Sequence, residues 1–158
     1  LFTIIFAVLV VYLVLSAQFE SFRNPITIIL TVPIALTSGL YTLFLTGTSI
    51  NVYSQIGFLM LIGLIAKNGI LVVEFANQLR REGLAVEDAI IESSMIRLRP
   101  VMMTTISTLL GAIPLVLSTG AGSESRYSMA IVVLGGIAIS SLITLYLVPA
   151  LYRYIEKY

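Results

Sequence analysis

The sequence contains no cysteine and no histidine, and only 11% of its 158 residues are charged. Without cysteine, disulfides, iron–sulfur clusters and thiol nucleophiles are excluded; without histidine, imidazole bases and the usual zinc sites go too. The redox compartment is left open, because there is no cysteine to report on it. Nine Lys+Arg against eight Asp+Glu leave a net charge of +1, so no bulk field directs the chain to nucleic acid. Neither a P-loop nor a dinucleotide-type glycine fingerprint is present, which removes ATP hydrolysis from the candidate activities. No nucleophile–base pair suggests an intramembrane hydrolase. No cofactor and no metal are expected.

What is there is apolar surface. Hydrophobic residues make up 58% of the chain and the mean hydropathy is +1.04, where soluble domains are about 45–50% apolar. Because roughly 30% of a compact domain's surface stays exposed, lipid is the better solvent. No charge occurs in 1–19, 24–66, 100–123 or 127–152, and a helix crosses the hydrocarbon layer in about 20 residues. The second blank is too long for one crossing and breaks at Thr46–Asn51. Five spans are therefore expected at about 1–17, 25–46, 52–79, 100–118 and 128–151. They lack the strict alternation of barrel strands, so the expected fold is an all-α polytopic membrane helix bundle. The chain opens at Leu1 inside an apolar run, with no initiator Met and no basic n-region. That argues against a signal peptide and for a piece of something longer.

The loops differ in kind. Those at 46–51 and 118–126 are short and nearly uncharged, whereas Gln18–Asn24, Arg80–Arg99 and the tail Arg153–Tyr158 are charged. Five crossings put Arg23, Arg80, Arg81, Arg97, Arg99, Arg153 and Lys157 on one side and Arg126 alone on the other. The positive-inside rule makes the first side cytoplasmic, with Leu1 starting outside and Tyr158 ending inside. Tyr127, Tyr152, Tyr154 and Tyr158 fit an interfacial aromatic belt. In 83–97, apolar residues return every three or four positions with Glu87, Asp88 and Glu92 between them, the pattern of an amphipathic helix along the cytoplasmic surface. It is either a plain connector or a coupler of the third and fourth spans.

Three ionisable residues escape this loop logic: Lys67, Glu74 and Arg97. Lys67 lies 15 residues after Val52 and 12 before Leu79, roughly 18–22 Å from either end of its span. Its stem cannot reach the interface from there, and a charge left at that depth costs at least about 2.5–3.5 kcal/mol. Lys67 must face a partner charge or a polar cavity, serving either assembly or an ion or proton relay. Glu74 shares its face but sits about 10 Å along the axis; it is either interfacial or a supporting group, as are Asn68 and Thr108. Arg97, Thr104 and Thr108 fall at i, i+7 and i+11 on one face of the fourth span. Thr104 and Thr105 have the alternative of bonding their own i−4 carbonyls, and Arg97 that of meeting lipid phosphates. No carboxylate of the chain lies deep enough to pair with Lys67. Gly136 and Ser140 suit close helix packing, and Pro33 and Pro114 imply kinks.

The run Gly63-Leu64-Ile65-Ala66-Lys67-Asn68-Gly69-Ile70-Leu71-Val72-Val73-Glu74-Phe75-Ala76 resembles the resistance-nodulation-division (RND) efflux transporters, most of all their hydrophobe/amphiphile multidrug branch. Gln18-Phe19-Glu20-Ser21, Arg97–Thr105 and Pro114–Gly122 carry the same resemblance, in matching order and spacing over nearly the whole chain. The match covers the last five of the family's twelve spans, half of its transmembrane domain. It implies a proton-driven antiporter of the bacterial inner membrane that exports hydrophobic and amphiphilic compounds. Such a transporter works as a homotrimer with a periplasmic adaptor and an outer-membrane channel. The lysine matching Lys67 pairs there with two aspartates in the N-terminal half of the same transporter, outside this sequence. Residues matching Arg97 and Thr104 belong to the same proton relay, and the drug pockets lie in periplasmic domains also outside it. The alternatives are the same fold exporting metal ions, moving lipids or powering protein secretion, and a non-transporting membrane scaffold.

Overall fold

Hydrocarbon offers no partner for backbone N–H and C=O groups, so apolar runs of this length close on themselves as helices. The computed structural model describes residues 2–20 and 22–157, apart from the side chains at 23 and 157. Leu1, Ser21 and Tyr158, and with them the expected placing of the chain ends, lie outside the described residues. The order is α1 (Phe2–Phe19), α2 (Arg23–Ile29), α3 (Val32–Thr46), α4 (Val52–Arg81), α5 (Val86–Leu117) and α6 (Ser123–Lys157). No strand occurs among the described residues. Five stretches are long and apolar enough to cross a membrane, with α2 and α3 counted as one. The fold is a helical membrane bundle.

Local chemistry sets the boundaries. Gly47 takes the left-handed conformation (φ 64°) that ends α3. Asn51 then caps α4: its Oδ1 accepts from the Ser54 N–H at 2.8 Å, while Ser54 Oγ accepts from the Asn51 N–H at 2.9 Å. At the other end Gly83 (φ 103°) lets the Leu84 N–H reach the Leu79 carbonyl and its own N–H reach Arg80, which closes α4.

The stretch 24–46 crosses as one span, and its helix is interrupted at Leu30–Thr31 just before Pro33, which has no N–H to continue the ladder, as the kink implied by that proline requires. The Thr31 hydroxyl donates to the Ile28 carbonyl at 2.6 Å and covers part of the loss. Conversely, residues 83–97 and 100–118, expected as a surface helix and a separate span, are one helix from Val86 through Pro100 to Leu117. The reason lies in the pattern: Ala89, Ser93, Val101 and Thr105 form one buried i, i+4 stripe across Pro100. The first turns of α5 therefore pack on α4, where Ser93 Oγ donates to the Val72 carbonyl at 2.6 Å.

Helix α6 is the hub, in contact with α2, α3, α4 and α5. It runs parallel to α4: Asn51 Nδ2 donates to Ser128 Oγ at one end (3.1 Å), and Arg80 pairs with Glu156 at the other (2.5 Å). Against α3 it runs antiparallel, and Gly135 lies so close to Thr42 of α3, and Gly136 to Leu61 of α4, that an added Cβ would overlap them. Two cores result, one around Leu43, Phe58, Leu61 and Val132, the other around Leu15, Ile28, Val73, Ile90 and Tyr152.

Tyr152, expected in an aromatic belt, is fully buried. Its hydroxyl donates to Asn77 Oδ1 at 2.6 Å and accepts from Arg80 at 3.4 Å, so it ties α6 to α4. Tyr152→Phe is expected to destabilise the intact protein by about 0.5–1.5 kcal/mol, because it removes the hydrogen bond to the half-buried Asn77 carboxamide; a thermal melt in detergent reads this directly.

Candidate functional site

Lys67 lies halfway along α4, on a side where residues 63 and 67 are exposed while Ile65, Ala66 and Gly69 are buried. Across from it stands α5, and together with Ile137 of α6 they line a half-open cavity of about 30 Å³. Lys67 and Asn68 line it from α4, and Thr104, Thr105 and Thr108 from α5. The structure thus brings the lysine and three hydroxyls of the neighbouring span to one place.

The hydroxyls are not equivalent. Thr104 donates to the Val101 carbonyl at 3.0 Å and Thr108 to the Thr104 carbonyl at 2.8 Å, the bonding within the helix that membrane threonines favour. Thr105 is 5% exposed and its Oγ1 has no partner. Thr104 is exposed and Thr105 buried, because adjacent residues lie on different sides of α5 and only Thr105 belongs to its buried stripe.

Arg97 lies elsewhere on the same seam. Its guanidinium sits over the Phe75 ring, 4.7 Å from the centroid, and its Nε is buried without a hydrogen-bond partner. A cation–π contact of this kind holds the head within the α4–α5 seam. Seven residues of helix, about 10 Å, separate it from Thr104. Glu74 is not with Lys67 either. It lines a larger cavity of about 860 Å³ at the charged end, with Glu20, Asn24 and Arg81 among its neighbours. Among the described residues the ion pairs are Arg80–Glu156 and Arg153–Glu87, and Lys67 has no carboxylate partner.

The family model described as AcrB/AcrD/AcrF matches residues 1–156. The chain is similar to the multidrug resistance protein MdtC of Erwinia amylovora, with 42% identity over 158 residues, 99% of this chain and 15% of that protein. It is likewise similar to an uncharacterized transporter of Haemophilus influenzae, 41% identical over 160 residues, 97% of this chain and 16% of that protein. The chain thus spans about one-sixth of the length of either relative. A match of this extent, on a bundle of five membrane-crossing stretches, shows that the chain belongs to the AcrB/AcrD/AcrF family of RND transporters.

Proposed function

We propose that the chain is the part of a proton-driven efflux transporter that supplies the lysine of its proton relay, in a protein exporting hydrophobic and amphiphilic compounds. One observation carries this reading: a lysine at mid-span, beside three hydroxyls, with no carboxylate partner among the described residues. A charge at that depth needs a counter-charge, and the family resemblance supplies an aspartate pair from the rest of the transporter. Protonating that pair frees the Lys67 ammonium, so that two packings of the bundle are selected by proton occupancy. Thr104 lines the cavity around the ammonium, and Arg97, anchored on Phe75, extends the polar seam toward the charged end.

The charged end of the bundle, with Arg80, Arg81, Arg99 and Arg153, is the cytoplasmic one on the positive-inside rule. The membrane is the bacterial inner membrane, where a proton gradient is available. The complete transporter is a homotrimer that hands its cargo to a periplasmic adaptor and an outer-membrane channel, through domains beyond this sequence. The name of the Erwinia relative, a multidrug resistance protein, agrees with drug cargo.

The test is transport by the intact protein in proteoliposomes. An imposed proton gradient should drive export of an amphiphilic dye and counter-movement of protons, and a protonophore should stop both. Dye movement that ignores the gradient would overturn the reading.

A further inference from the structure

We propose that Thr105 is the hydroxyl that links Lys67 into the relay; this rests on the relay reading above. A group that connects two others must accept a hydrogen bond on one side and donate one on the other. A threonine hydroxyl has a single proton to donate. Thr104 and Thr108 already spend theirs on carbonyls of α5. Thr105 keeps both functions open, since its Oγ1 is buried and has no partner.

An unsatisfied hydroxyl in the interior costs free energy, and of the three threonines lining the cavity only Thr105 is in that state. Lys67 is the donor at hand, with three N–H groups and no acceptor of its own. Beyond the threonines, the cavity wall is Leu64 and Asn68 of α4 and Ile137 of α6. None of these titrates, so no other charged group of these three helices competes for the ammonium there. Glu74, the next carboxylate along α4, opens into a different cavity. Lys67 and Thr105 line the same cavity, of about 30 Å³, so a small turn of the Thr105 rotamer or of the lysine stem is all the contact requires.

When the carboxylate partner takes up a proton, the Lys67 ammonium loses its counter-charge and still has to be solvated. Thr105 accepts from it while its own proton stays free to pass the hydrogen bond on. Thr105 is thus a positioning residue, acting through Lys67.

Thr105→Val keeps the shape and removes the hydroxyl. It also removes an unsatisfied group, so the bundle should fold at least as well. In the intact transporter in proteoliposomes, this variant is expected to slow proton-coupled dye efflux by about tenfold, as the loss of a hydrogen bond to a charged group does. The acid limb of the rate–pH profile should move down by about one unit, because freeing Lys67 then takes a higher proton concentration. Thr105→Ser, which keeps the hydroxyl, should restore both, and Thr104→Val should slow efflux less than Thr105→Val. An unchanged rate and pH profile in Thr105→Val overturns the assignment. So does equal impairment in Thr105→Ser, which would mark a packing role. Lys67→Met separates the two levels: if it stays proton-coupled, the relay reading itself fails, whereas if it is inactive and Thr105→Val is normal, only Thr105 is wrongly assigned.

Discussion

Lys67→Met in the intact transporter is expected to reduce proton-driven efflux to the level of empty vesicles while leaving the amount of protein in the membrane unchanged. Methionine matches the stem in length and removes only the charge. Within the bundle nothing packs tightly against that side of α4, because Lys67 is exposed while Ile65, Ala66 and Gly69 on the other side are buried. The substitution therefore leaves the α4–α6 seam as it is. On the relay reading, what it removes is the counter-charge of the aspartate pair. A carboxylate left alone at that depth keeps its proton, so it can no longer load and unload in each cycle. Lys67→Arg should rescue only in part, since a planar guanidinium does not occupy the place of a compact ammonium. Proton-coupled efflux at wild-type rates in Lys67→Met would remove the lysine from the mechanism.

Much of the frame was legible before any coordinates. Charge-free stretches mark the spans because each charge in hydrocarbon is costly, and all five correspond to helical stretches of the bundle. The depth of Lys67 follows from counting residues, and so does the face of α5 that Thr104 and Thr108 share, whereas their nearness to Lys67 comes from how α4 and α5 pack. The backbone details were less accessible. Polarity does not report continuity, so the unbroken run of α5 through Pro100 differs from the expected surface helix and separate span, although the stripe Ala89, Ser93, Val101, Thr105 is in the sequence; the interruption at Leu30–Thr31 is the kink that Pro33 implies. The burial of Tyr152 is not legible from its position near a span end, because its partners Asn77 and Arg80 lie far away in sequence. The difference between Thr104 and Thr105 follows from the side of α5 on which each lies, exposed for Thr104 and buried for Thr105, and which hydroxyl is left without a partner shows only in the structure.

Gly135→Ala is expected to destabilise the bundle by about 1–3 kcal/mol, the usual cost of overfilling a packed core, even though alanine is the better helix former. A Cβ at 135 would overlap Thr42 of α3, and Thr42 is not free to turn away, because its hydroxyl donates to the Ser38 carbonyl at 2.9 Å. Gly136→Ala should cost less, since there only the outer atoms of Leu61 stand in the way. The helix-propensity gain is the same at both positions, so the difference between the two variants isolates the contact. Pairing Gly135→Ala with Thr42→Gly should recover most of the loss, and the double-mutant cycle gives the coupling directly. Thermal unfolding of the intact transporter in detergent is the measurement. The Lys67 cavity is built from α4, α5 and Ile137, and α3 contributes nothing to its wall. Gly135→Ala should therefore lower the melting temperature without moving the rate–pH profile of the protein that remains folded. The opposite result, an altered profile with an unchanged melt, would mean that the α3–α6 contact belongs to the moving parts of the transporter and not to its frame.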